Sequence, residues 1–375
     1  MPHSQTTVGS VADATTNGGR GMQHSFTSAL TDHHAMVRLT AREAQDLQAG
    51  EHLLIDQIMQ VCAAAGCFLQ RNIIVNYYVS LKTNPLVVLA GAEGTGKVDF
   101  SRLFATALLG SDSPQFAFIP SKSAWHTATG EGSYYRLLSD RFTSLRFIDL
   151  LHEAAMPANV GKLYLICFQR LHPDEIEPYM SSLMRVERNG QRFLNLPGVP
   201  SAKQPLISPN VRISATVDTT AELQSLSMAG LNASVIDISA PAPHWVAALN
   251  QFPAPGFQRF WLRSAIHDIS AAEQKLQILG IDRVADMLAA PAIRDSIRRS
   301  SLILPEAIIQ ELTLAIANSF DGNGEGLFDP YNRQRNAQIA YDTQLIQRAR
   351  WQTTDDHCPS IAEYFGAEQV IRRVA

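Results

Sequence analysis

The sequence predicts an α/β fold: a parallel sheet flanked by helices, followed by an all-helical region. Three observations predict it. Short apolar runs alternate with helical segments between Leu86 and Ile238, the order expected of β-α-β units. A glycine-rich loop, Gly91-Ala92-Glu93-Gly94-Thr95-Gly96-Lys97, separates the first apolar run from an amphipathic segment. From about Pro243 onward the pattern is helical throughout, at 257–278, 281–300, 305–319 and 333–350.

The elements follow in order. Residues 1–39, rich in Ser, Thr, Gly and His, form a disordered N-terminal tail on composition. Its Asp32-His33-His34 run reads as solvated, since nothing there orders ligands. Residues 40–85 form a helical lead-in. Thr40 with Glu43 is a capping-box signature, and Leu53, Leu54, Ile58 and Val61 repeat at helical spacing toward Phe68. A second helix fits Ile73 to Leu81, before Pro85. Residues 86–242 form the α/β domain. Its strands are Leu86–Ala90, Phe116–Ile119, Leu163–Phe168, Val211–Val217 and Val235–Ile238, with helices over Phe100–Leu108, Leu145–Ala155 and Ile176–Val186. A Pro-rich insertion between Gly190 and Pro209 suggests a hairpin or surface loop. Residues 243–375 form a helical lid and C-terminal segment.

Composition sets the outer bounds. Hydrophobic residues make up 46% of the 375, enough for a sizeable core. A formal net charge of −4 offers no whole-chain attraction to nucleic acid or an anionic membrane. Arg294, Arg298 and Arg299 could mark a local nucleic-acid face, but such a run is more often a solvated helix surface. Cys62, Cys67, Cys167 and Cys358 match no zinc or redox spacing and read as buried thiols. No apolar run reaches the ~18 residues of a membrane span, and no secretory signal pattern opens the chain. The expectation is a soluble, cytoplasmic protein without a metal site.

The chemistry lies in the loop. Gly91-x4-Gly96-Lys97 matches the first seven positions of a P-loop. Its glycines let backbone N–H groups point at phosphate oxygens, and the following helix presents its positive end to the same anion. Gly91 through Lys97, with Val98, are therefore the candidate nucleotide-binding residues, for ATP or GTP. The eighth position should carry a hydroxyl for Mg²⁺. Val98 has none.

Further segments resemble McrB-type AAA+ proteins, the motor subunits of modification-dependent restriction systems. The run Ile74-Val75-Asn76-Tyr77-Tyr78-Val79-Ser80-Leu81-Lys82-Thr83-Asn84-Pro85 is similar to the family's lead-in. Trp125 with Tyr134-Tyr135 resembles its W-T-D…G-Y-Y segment, and Val211–Val217 with Asp218 its sensor strand. Ser227 to Ile236 tracks its S-P-K-V-L-D-R-A-N-V stretch, and Asp342 to Arg348 its D-x-Q-x-x-Q-R lid helix. The resemblance covers about residues 70–350 and implies an AAA+ ring subunit, homo- or hetero-oligomeric, in a restriction or defence setting. A partner would be an active paralogue or a nuclease subunit.

The departures from that family fall at its chemical positions. Its second strand ends in Asp-Glu, for metal and water; Phe168 and Gln169 stand here. Asp174 and Glu175 follow downstream, where acids simply favour a helix start. The sensor Asn is Asp218, the Asp-Arg pair is Asn232-Ala233, and the nearby Lys is Ala229. These losses are expected to converge within a few ångströms, and an arginine finger alone is worth about 10³–10⁵ in rate. No catalytic residue remains, so the chain reads as a pseudo-ATPase. The alternative is an active NTPase whose Mg²⁺ is held by phosphates and water, helped by Glu93 or Asp99. Asp218 and Glu93 are expected to weaken binding to the high micromolar range. One carboxylate about 4 Å from a phosphate costs ~4 kcal/mol at an effective dielectric of 20, against about 8 kcal/mol for micromolar affinity.

Overall fold

In the computed structural model, residues 50–84, 86–111, 113–120, 147–171, 186–187, 191–194, 200, 203–218, 233–238, 257–281, 283–300, 306–352 and 364–365 are described. Among them five parallel strands form one sheet: β1 (Leu86–Ala90), β2 (Phe116–Pro120), β3 (Tyr164–Gln169), β7 (Val211–Val217) and β8 (Ser234–Asp237). Their spatial order is β2-β3-β7-β1-β8. Three short strands between β3 and β7, namely β4 (Val186–Glu187), β5 (Gln191–Phe193) and β6 (Leu206–Ile207), pair antiparallel as a separate sheet. The predicted α/β architecture is therefore present, with its three central strands adjacent and parallel.

Alternation along β1 divides the core. Leu86, Val88 and Ala90 face one cluster, which includes Phe147, Leu150 and Leu151 of α4 (Phe147–Ala154). Val87 and Leu89 face the other. That second cluster gathers α1 (Gly50–Ala64), α2 (Arg71–Thr83) and α3 (Lys97–Leu109). It also takes in the C-terminal helices α5 (Phe257–Ser264), α6 (Ile269–Leu279), α7 (Pro291–Ser300), α8 (Glu306–Asn318) and α9 (Arg333–Gln352). Phe100, Leu103 and Phe104 anchor α3 on the sheet. Each such side chain contributes roughly 1.5–3 kcal/mol on full burial.

Several predicted elements are corrected. The helix expected over 257–278 is two: α5 ends at Ser264, and Asp268 starts α6 by accepting a hydrogen bond from the Ala271 N–H. A side-chain cap of this kind satisfies a first-turn amide and starts a new helix. The helix expected from 281 starts at Pro291, which suits the first turn but not an interior. Val186, expected to close a helix, instead pairs with Arg192. The lead-in helix ends at Ala64, because Gly66 turns the chain at φ 80°.

At the N-terminal end of the sheet, α9 meets α2 and β8 through buried polar groups. Gln347 Nε2 donates to Asn76 Oδ1 at 2.8 Å and Gln344 Nε2 to the Ser80 hydroxyl at 3.2 Å. Arg348 reaches Asn84 Oδ1 at 3.1 Å and the Ala233 carbonyl at 3.4 Å, and pairs with Glu311. Asp342 accepts from the Ala290 N–H and from Gln338. The Asp342–Arg348 segment thus serves packing in this chain.

Candidate phosphate-binding site

Strand order assembles the site. β1 lies between β7 and β8, with Ala90 opposite both Val217 and Asp237. The loop leaving β1 therefore emerges beside the residue that follows β7, Asp218. β3 lies on the far side of β7, so its tip flanks the same place. Ligands of open parallel sheets bind at these carboxyl ends.

The loop has the geometry of a cradle. Gly91 is wedged under the end of β8. A Cβ there would stand 2.2 Å from the Ile238 carbonyl oxygen, while the Ile238 N–H donates to Ala90 at 2.7 Å. Gly94 and Gly96 both adopt φ 80°, a left-handed conformation that costs glycine nothing. Thr95 closes the turn, its hydroxyl donating to the Ala92 carbonyl at 2.9 Å. Gly96 caps α3 with no side chain, which leaves the first-turn amides to an anion.

Lys97 is only 3% exposed, and its ammonium is held inside the protein. It donates to the Ala92 carbonyl at 2.9 Å and meets Asp218 Oδ1 at 2.5 Å. Arg170 continues the network: its guanidinium meets Glu93 Oε1 at 2.5 Å, and its Nε lies 3.7 Å from Asp218 Oδ2. Two cations and two carboxylates thus alternate across the tips of β1, β7 and β3.

Arg170 owes its position to a sharp turn after β3. Its N–H donates to the Thr216 hydroxyl and the Leu171 N–H to the Thr216 carbonyl, both at 2.8 Å. Leu171 re-enters the core, so Arg170 is turned outward at φ 52°, the single positive-φ non-glycine among the described residues. Arg170 is not among the residues expected from sequence. The available signal is a cation directly after a predicted strand.

The structure separates the positions that the family resemblance groups together. Phe168 turns into the core, with its ring centroid 5.7 Å from that of Phe147. Gln169 is half-buried at the strand end, and Val98 is half-buried in α3. Glu93 and Asp218 join the ion-pair network. Ala233 precedes β8, beside the start of β1 rather than its tip, so it belongs to the opposite end of the sheet. There its carbonyl receives Arg348. Asp99 lies half-buried in the first turn of α3. Trp125, Tyr134, Tyr135, Asp174, Glu175, Ala229 and Asn232 lie outside the described residues. Cys62, Cys67 and Cys167 are buried free thiols. Arg294 donates to the Ala289 carbonyl and Arg298 is exposed. No described helix is long and apolar enough to cross a membrane.

No family model matches the chain, and no curated protein matches it. Among solved structures it is similar to the Walker-type ATPase PABY2304 of Pyrococcus abyssi. The identity is 11%, over 83% of this chain and 77% of that one, with a TM-score of 0.25. It is also similar to a chain in a HORMA:CdnC:Trip13 complex of E. coli MS115-1. There the identity is 15%, over 82% of this chain and 90% of that one, with a TM-score of 0.23.

Proposed function

We propose that this chain is a catalytically degenerate AAA+ P-loop protein, a pseudo-ATPase that serves as a structural or regulatory subunit. One observation carries the reading. The loop lysine, Lys97, is neutralised by Asp218, while the tip of β3 offers a core phenylalanine and an amide where metal and water would need carboxylates. A general base must reach its proton within hydrogen-bond distance, and neither Phe168 nor Gln169 can accept one.

The residues present fit a phosphate chain. The glycine cradle, the uncapped start of α3, Lys97 and Arg170 all offer donors or positive charge. A bound nucleotide, ATP or GTP, would supply the anion that now comes from Asp218. The residues do not fit Mg²⁺. Val98 and Phe168, which stand where a P-loop carries its metal-binding hydroxyl and carboxylate, lack ligand atoms.

Purified protein is expected to hydrolyse ATP and GTP no faster than a Lys97→Ala control, with or without Mg²⁺. A Mg²⁺- and Lys97-dependent rate near ~1 s⁻¹, at the low end of ordinary enzymes, overturns the reading. A subunit without its own chemistry acts through neighbours. The reading therefore extends to a cytoplasmic McrB-like assembly, homo- or hetero-oligomeric, with an active paralogue or nuclease subunit in a defence system. Light scattering of the chain alone and with such a partner tests it, and a monomer in both cases removes the assembly role.

A further inference from the structure

An ordinary P-loop brings positive charge to its polyphosphate in two ways, as the loop lysine and as a metal ion held by a hydroxyl and a carboxylate. Here both metal positions are gone, at Val98 and Phe168. A second positive charge nevertheless stands at that end of the sheet. It is Arg170, directly after β3, held at φ 52° in a conformation that disfavours most residues bearing a Cβ.

We propose that this loop takes a polyphosphate without a divalent cation. Lys97 and Arg170 are its two positive charges, and Asp218 is an internal anion that the ligand displaces. The inference rests on the P-loop reading above and names how that site is filled.

Three features of the geometry support it. First, Asp218 bridges the two cations, with one oxygen 2.5 Å from Lys97 and the other 3.7 Å from Arg170 Nε. One anionic group already sits between them. A phosphate chain offers more charge and more acceptor oxygens to the same two groups. It also engages the start of α3, where Gly96 provides no side-chain cap. Second, the other hold on Arg170 is weak. Its contact with Glu93 joins side chains 55% and 70% exposed, and exposed ion pairs contribute little. The guanidinium can exchange Glu93 for phosphate, whose oxygens match its planar fork. Third, an added divalent cation would be repelled by Lys97 and Arg170 beside the phosphates, and Val98 and Phe168 offer it no ligand atom at the two positions where a P-loop holds its metal. Metal therefore gains no site by joining the ligand.

The test is calorimetric titration of the full chain with ATP, ADP and inorganic tripolyphosphate, each in EDTA and in Mg²⁺. Wild-type affinity should change by less than about threefold between the two conditions, well under the ~1.4 kcal/mol of a tenfold change. Arg170→Ala should weaken binding by about tenfold or more, the scale of one charge-assisted hydrogen bond, and Arg170→Lys should recover part of it. Asp218→Asn should tighten binding about tenfold. Tripolyphosphate binding as tightly as ATP identifies the phosphate chain as the ligand; tighter ATP binding identifies a nucleotide. Melting temperature guards against misfolding. Asp218→Asn should melt lower than wild type and recover with tripolyphosphate, because ligand binding to the folded state stabilises it. Tenfold tightening by Mg²⁺, or equal affinity in wild type and Arg170→Ala, overturns the proposal. So does the absence of binding in both wild type and Asp218→Asn. Failure of the pseudo-ATPase reading shows separately, as Mg²⁺-dependent turnover.

Discussion

The two ends of the central sheet carry polar networks of opposite character. At the carboxyl end, Glu93, Arg170, Asp218 and Lys97 pair across strand tips, and all but Lys97 reach water. At the amino end, Asn76, Ser80, Asn84, Gln344, Gln347 and Arg348 are sealed between α2, β8 and α9. Both join segments distant in sequence. The difference is solvent. A group that reaches water can trade partners with a dissolved anion, whereas a sealed group must keep its partner or be left unpaired in a low-dielectric interior. The first network suits ligand exchange and the second fixes how the C-terminal helices seat on the sheet.

Removing a member should therefore cost much at the amino end and little at the carboxyl end. Arg348 is 2% exposed beside Glu311. Arg348→Ala should lower unfolding free energy in urea by about 2–3 kcal/mol, because the buried Asn84 and Ala233 oxygens lose their donor while Glu311, a quarter exposed, regains water. If the single change costs under about 1 kcal/mol, the seam is no more fixed than a surface pair.

Gly91→Ala tests whether the exchangeable end has a fixed floor. The new methyl would press on the Ile238 carbonyl at the junction of β1 and β8. A loss of about 1–3 kcal/mol is expected, as for overpacking elsewhere; an unchanged denaturation midpoint would show that the strand ends yield.

A pH series separates sealed charges from exchangeable ones. Burial lowers the pKa of Lys275 to about 8 and that of Arg212 to about 9. Both lie below the values of unfolded chain, so between those limits the unfolded state holds more protons and stability rises with pH. Tyr77 and Tyr78, raised by burial, oppose this above their ordinary value of 10, and the buried thiols Cys62, raised by its hydrogen bond with Cys67, and Cys167, raised by burial, offset part of it from about 9. Unfolding free energy should increase by roughly 1 kcal/mol from about pH 8 to pH 9.5, and Lys275→Met should remove most of the increase. A flat or falling profile contradicts the burial of these cations.

The smallest effect is expected from Glu93→Gln, within about 0.5 kcal/mol of wild type, because its contact with Arg170 is largely exposed. A larger loss would make the carboxyl-end network structural and erase the contrast.

The strands were legible because apolar runs bounded by turn residues leave few choices. β1 and β7 fall at their predicted limits, and β3 is displaced by one residue. The loop was legible because its glycines and lysine are contiguous. The site around it was not. Arg170 and Glu93 stand 77 positions apart, and nothing local marks them as partners. Phe168 was legible as a departure from the resembled family's pattern, but not as a core residue against Phe147. Ala233 was misplaced because a motif gives order along the chain, not the end of the sheet on which it falls. Asp268 and Pro291, both helix-start signals, were overridden by periodicity that ran through them.

The turn at Arg170 bears on what a population of variants would retain. Backbone preference at φ 52° favours glycine or asparagine over arginine. A library randomised at that codon and selected only for soluble, folded protein should drift toward those two residues. The same library selected for retention on an immobilised polyphosphate should keep Arg or Lys. The composition at one position then records whether folding or ligand holds the residue in place.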